Sequence, residues 1–258
     1  MDHAHTTRGG ATGMAASVSD LPKSGKRSNA APPLEPLACG TDDVCIWRVH
    51  LDRDDATVAA CAAFLSGDEL QRAKRLRSAI DRNRYFVARG GLRQLLADWL
   101  GTRPSAIEFE YGPRGKPFLR GATPPQFNLS HAGGTALIAI SSRRPVGVDI
   151  ESLNRNLDFA ALAGRFFSAA ERAALSALPA DLQKHAFLTG WTRKESILKA
   201  TGDGLSLPLD QFEVSLDVDA PARVLSTTLD RIAKCALHEL RIDGGFVASL
   251  ATYDHDPG

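Results

Sequence analysis

Three carboxylates and two lysines are spaced so that they could act on one charged object. Asp149 and Glu151 lie one residue apart in VGVDIE, and strand alternation puts both on one face while Val148 and Ile150 point the other way. Glu195 and Lys199 lie one helical turn apart in WTRKESILKATGDGL, where Trp191, Glu195 and Lys199 form a single stripe. Neighbouring acids repel unless a cation intervenes, and hard oxygen donors of this kind suit Mg²⁺. Glu195 would make a third oxygen ligand, leaving room for phosphate oxygens. The same residues offer a carboxylate to deprotonate a hydroxyl, with Lys199 or Lys194 beside a charged oxygen. Each feature also has a plainer account. The acid pair reads equally as a solvent-facing strand end, and Glu195 with Lys199 as a surface ion pair of about 0.3–0.5 kcal/mol.

Further polar groups precede these. Ser130 and His131 are adjacent in FNLSHAGG, but the chain has no G-x-S-x-G elbow, so a serine nucleophile is not indicated. The motif reads as a loop that donates hydrogen bonds to an anion, with Gly133 and Gly134 forming a turn. Lys116 is presented by the Gly/Pro turn of GPRGKPFL. Arg72, Lys74, Arg75, Arg77, Arg82, Arg84, Arg89 and Arg93 form a local basic concentration. It fits a solvated helix face or an anion site for phosphate groups.

The elements that must position these residues follow from pattern. Residues 1–44 are rich in Gly, Ala, Ser, Thr and Pro and read as a disordered tail. The segment VCIWRVHL alternates as a strand, and a helix capped by Asp54 or Asp55 follows. A helix-start signal at Ser66 to Glu69 opens the arginine-rich stretch. IEFEYG and TALIAISS read as strands, FAALAGRFFSAAERAALSAL as helical, and FEVSL, RVLSTTL, CALHELRI and FVASLATY as strands. Strand and helix types recur in similar order, which predicts an α+β fold of two related lobes, 45–145 and 146–258.

Composition narrows the class. A 258-residue chain with net charge +1 gives no case for nucleic acid. Its four cysteines show no metal spacing. No apolar run approaches the roughly 20 residues of a membrane helix, and the N-terminus lacks a secretory apolar core, so a cytoplasmic location is expected. A Mg²⁺-dependent phosphohydrolase or nucleotidyl transferase, and a non-catalytic nucleotide-binding module, both remain compatible with the residues alone.

The motifs GKPFL, FNLSH, VGVDIE, RFFSAAE and WTRKESILKATGDGLSLPL, in this order, resemble the Sfp-type 4′-phosphopantetheinyl transferases. The resemblance covers about Ser66 to Phe212. It implies two similar α+β lobes, related by a pseudo-twofold, with the active site in the cleft between them. It implies transfer of the 4′-phosphopantetheine arm of coenzyme A to a serine of an apo acyl or peptidyl carrier protein, with release of adenosine 3′,5′-bisphosphate. Asp149, Glu151 and Glu195 fall on the family's Mg²⁺-binding acids and Lys199 on the lysine near the coenzyme A phosphates, so Glu195 and Lys199 are the expected catalytic residues. Arg72, Arg84, Lys116, Ser130, His131, Asp149, Lys194 and Lys199 fall on positions near coenzyme A. Glu69 and Tyr85 depart from the pattern on the nucleotide side. The carrier is expected near Phe166 and Phe167 or Leu205 to Leu209, and the enzyme is expected to be a monomer.

Overall fold

The computed structural model describes residues 32–121 and 125–254. In chain order the elements are β1 (Leu34–Leu37), β2 (Val44–His50), α1 (Asp55–Ala62), α2 (Gly67–Lys74), α3 (Ala79–Leu100), β3 (Phe109–Tyr111), β4 (Pro117–Leu119), β5 (Gln126–Ala132), β6 (Thr135–Ser141), β7 (Val146–Ser152), α4 (Phe159–Phe166), α5 (Ala169–Ala177), α6 (Ala180–Thr201), β8 (Phe212–Val214), β9 (Val224–Thr227), α7 (Asp230–Ala233), β10 (Cys235–Leu240) and β11 (Phe246–Tyr253). The fold is mixed α+β. No helix among the described residues is long and apolar enough to cross a membrane.

One order of elements occurs twice. A strand, three helices, a short hairpin and two further strands run from β2 to β6, and again, with α7 inserted, from β7 to β11. The sheets repeat the order as well: β1-β2-β6-β5 in the first half and β10-β11-β7 in the second, so the opening strand borders the last strand in each. All these pairings are antiparallel.

Local signals explain the breaks. Asp54 caps α1 by accepting from the Thr57 amide at 2.7 Å. The helical stretch after β7 divides where Ser168 ends α4's exit and opens α5 with a capping box closed by Glu171. Ser66 and Glu69 form the corresponding box at α2. Helix α6 ends at Gly202, whose φ of 78° is the left-handed conformation that glycine adopts without strain.

Three apolar cores hold these layers together. One packs α1 and α3 on the first sheet through Val49, Val87, Leu92, Leu96 and Ile138. A second gathers α4 to α6 around Phe167, Phe187, Leu198 and Phe212. The third joins the two sheets, with Ile46, Leu137 and Ala139 meeting Val146, Val148 and Ile150. The acid-bearing strand β7 is therefore gripped from its apolar side by both halves.

Two sequence expectations are corrected. Composition predicts a tail over 1–44, yet Leu34–Leu37 pair with β2 as β1, because Leu34 and Cys39 are buried and supply the apolar anchors that the Pro-rich composition conceals. Residues 1–31 lie outside the described residues. The FNLSH segment, expected as a loop, is strand β5, paired along its length with β6.

Candidate active site

Strand β7 turns Gly147, Asp149 and Glu151 toward one side, and α6 lies against that side. The approach is close enough that a Cβ added to Gly147 would stand 2.0 Å from the Ser196 carbonyl oxygen and 2.3 Å from the Ala200 amide nitrogen. Main chain therefore touches main chain, and only glycine fits. This contact brings Asp149 to Lys199: the ammonium donates to Asp149 Oδ1 at 2.6 Å. Lys199 also donates to Val148 O at 3.3 Å and Ser130 Oγ at 2.9 Å, and the Ser130 hydroxyl donates to Asp149 Oδ1 at 2.9 Å. Asn128, two residues before Ser130 and so on the same face of β5, accepts from the Val148 amide at 2.9 Å and ties β5 to β7.

On α6, Trp191, Glu195 and Lys199 are half-buried while Lys194, Ser196, Ile197 and Leu198 are buried. The predicted stripe is thus the open face of the helix. Burial, then the Asp149 carboxylate, raise the Glu195 pKa, with Lys199 opposing and Glu151 adding to the rise. Glu151 is raised too, first by burial; its bond to Arg155 at 2.6 Å opposes and Asp149 reinforces. These causes make the three acids one electrostatic unit.

The donor chemistry fits a hard cation. Asp149 Oδ2 is buried with no hydrogen-bond partner, and the two nearby carboxylates are held above their ordinary range first by burial and then by neighbouring negative charge. Among the described residues no group of three or more His, Cys, Asp or Glu side chains is already gathered as a metal cluster. Asp149 Oδ1 is instead neutralised by Lys199, and Glu151 by Arg155.

Beside this junction a cavity of about 540 Å³ is lined by Arg72, Arg84, Tyr85, Tyr111, Asn128 and His131, among others. Arg84 holds Asp52 with two bonds, at 2.6 and 3.0 Å, and the Arg72 guanidinium lies 4.0 Å from the centre of the Tyr111 ring. The His131 imidazole pKa is held down by partial loss of solvent and then by the Lys199 ammonium. The arginine-rich stretch thus splits in two. Arg72 and Arg84 reach the cavity without touching Glu69, whereas Arg89, at the cavity wall, and Arg93, in the interior, donate to Glu69 at 2.6 and 2.7 Å.

Lys194 is fully enclosed, which corrects its assignment to coenzyme A. Its ammonium pairs with Glu171 at 2.9 Å and donates to Leu209 O at 2.6 Å and Phe212 O at 2.5 Å. One residue along a helix rotates a side chain by about 100°, so a neighbour of cleft-facing Glu195 looks into the core. Lys116 also points elsewhere than expected: its ammonium donates to carbonyls at the end of α6 and the start of β7. Of the expected carrier contacts, Phe167 and Leu209 are core residues. Phe166 is half-buried, edge-on to Trp191 with centroids 5.4 Å apart. Asp52, Tyr111, Asn128 and Arg155 were not anticipated; reading FNLSH as a strand would have placed Asn128 beside Ser130.

A cavity lined by arginines, whose wall residues Asn128 and His131 flank Ser130 of the Asp149–Lys199 junction, is the kind of site that handles a phosphorylated substrate. Comparison with known proteins makes this specific. Residues 145–251 match the model of the 4′-phosphopantetheinyl transferase superfamily, and residues 52–143 match that of the 4′-phosphopantetheinyl transferase N-terminal region. The chain is 38% identical over 214 residues to the 4′-phosphopantetheinyl transferase HetI of Nostoc sp. strain PCC 7120, spanning 82% of this chain and 88% of that one. It is 31% identical over 214 residues to the 4′-phosphopantetheinyl transferase Sfp of Bacillus subtilis strain 168, spanning 82% and 93%. A further 4′-phosphopantetheinyl transferase of Bacillus subtilis is 31% identical over 230 residues, spanning 81% and 98%. The chain belongs to the 4′-phosphopantetheinyl transferase family, of the Sfp type, and is an enzyme of that class.

Proposed function

We propose that this enzyme takes coenzyme A as donor and moves its 4′-phosphopantetheine arm onto a serine hydroxyl of an apo acyl or peptidyl carrier protein. The observation that carries the reading is the Asp149, Lys199 and Ser130 junction, next along β5 to the cavity wall residues Leu129 and His131, with Arg72 and Arg84 lining the same cavity. Arg72 and Arg84 supply positive charge for the nucleotide end, and Ser130 and His131 sit where that end would meet the acids. Trp191 and Phe166 give the carrier an apolar landing beside the stripe. The two recurrent halves are read as lobes related by an approximate twofold, divided at residues 145 and 146, with the reaction in the cleft between them.

Phosphoryl transfer asks mainly for positioning and charge stabilisation. Mg²⁺, held by Asp149, Glu151 and Glu195, would neutralise the pyrophosphate and orient it. Glu195 accepts the proton of the carrier serine through the carboxylate oxygen that it does not give to the metal. The serine oxygen bonds to the pantetheine-side phosphorus, and the bond from that phosphorus to the bridging oxygen breaks. Lys199 stabilises the departing adenosine 3′,5′-bisphosphate, and Ser130 keeps the lysine aligned while its bond to Asp149 loosens. Incubation with coenzyme A, MgCl₂ and an apo carrier protein should add the mass of phosphopantetheine to the carrier. No addition to either an acyl or a peptidyl carrier would overturn the reading.

A further inference from the structure

We propose that Lys116 is a positioning residue for the reaction, acting as a cap that the first half of the chain places on the catalytic helix of the second. The last four carbonyls of a helix lack partners within it, and in α6 each has one from outside the helical ladder or from the cap. Leu198 O accepts from the Gly202 amide at 2.9 Å and Thr201 O from Arg231 at 3.4 Å. The two between them, Lys199 O and Ala200 O, both accept from the Lys116 ammonium, at 2.5 and 3.1 Å. A positive charge here also opposes the negative end of the helix dipole.

The third Lys116 bond goes to Val146 O at 3.2 Å, the first residue of β7. One ammonium therefore fixes the end of α6, which carries Glu195 and Lys199, against the start of β7, which carries Asp149 and Glu151. It reaches them from the turn between β3 and β4, where the Gly112 amide donates to Lys116 O at 2.9 Å and holds the residue in place. Burial lowers the Lys116 pKa to about 8, in keeping with an amine spent on protein carbonyls. Gly147 sets how closely strand and helix approach, and Lys116 sets how the last helical turn is rotated over the strand. Its effect on chemistry passes through the Lys199 and Asp149 side chains.

This inference rests on coenzyme A as the donor, and wild-type transfer measured alongside separates the two questions: without wild-type transfer the donor reading fails first. With wild type active, Lys116→Gln and Lys116→Met should lower kcat roughly tenfold or more. The Kd for coenzyme A, measured by calorimetry, should change less than about threefold, a split that a direct phosphate contact would reverse. Lys116→Arg, which can still donate to several carbonyls, should recover part of kcat. A rise in Kd with kcat preserved would make Lys116 a ligand contact. A fall in melting temperature with neither constant altered would make it structural only. Either result overturns the proposal, and the arginine variant keeps the test open if the others fold poorly.

Discussion

Helices α3 and α6 occupy the same place in the two halves, have the same length of 22 residues, and are locked by the same device. In each half a short helix opens with a Ser-x-x-Glu capping box whose glutamate is buried. Glu69 takes Arg89 and Arg93 from α3; Glu171 takes Lys194 from α6. Arg93 and Lys194 stand at the same step along their helices. The residues that follow each cation are where the halves part. In α6 they are Glu195 and Lys199, half-open and facing the acids of β7. In α3 the same two steps hold Gln94 and Asp98, which satisfy each other by a 2.7 Å hydrogen bond. The same order of elements thus carries the stripe proposed to react in one half and a self-contained pair in the other. The buried ion pairs hold the helices, and the next residues along are where the proposed chemistry would lie.

This contrast is open to measurement. Glu195→Gln should lower transfer by about 10³-fold or more while the fold survives, since a general base alone contributes 10²–10⁴; near-normal turnover with intact melting would remove Glu195 from the reaction. Glu171→Ala strands the buried Lys194 and Glu69→Ala strands both Arg89 and Arg93, and each should cost about 3–5 kcal/mol in urea unfolding. Glu69 should be the larger loss, because two guanidiniums lose it, Arg93 is almost as enclosed as Lys194, and an arginine, unlike a lysine, stays charged when stranded. The reverse order would break the parallel between the two locks.

A smaller effect is expected in acid. Burial alone would raise the Glu69 pKa, but Arg89, the Ser66 amide and Arg93 bring it below the ordinary value. Its contribution to stability is therefore complete above the unfolded glutamate pKa of about 4.3 and is lost as pH falls through the lower folded value. Stability plotted against pH should show a shallower acid limb in Glu69→Gln than in wild type. The smallest change is expected from Gln94→Ala, with kcat/KM within about twofold and a stability loss of about 0.5 kcal/mol or less. A large loss of activity there would mean that α3 also takes part in the chemistry.

How far the sequence could be read depended on whether a signal was local. Helical spacing identified the stripe of Trp191, Glu195 and Lys199, and Gly202 marked its end, because periodicity and capping act within a few residues. Alternation placed Asp149 and Glu151 on one face for the same reason. Partners distant in sequence were not legible. Nothing near Lys116 says that its ammonium will cap a helix from the other half, and nothing near Leu34 says that a Pro-rich stretch will find β2. Lys194 was legible in part, since the wheel that puts Glu195 at the cleft turns Lys194 away from it. The Ser168 to Glu171 spacing matches Ser66 to Glu69 and could have announced the repeated lock directly.

Gly147 gives the site a particular tolerance to change. Where strand and helix are kept apart by side chains, each enlarged or trimmed residue between them alters the spacing of the groups they carry. Here the spacer is the peptide main chain itself, which does not vary with sequence. Substitutions in the surrounding cores can then lower stability well before they move Asp149 relative to Lys199, and the active geometry is insulated from drift in the packing that supports it.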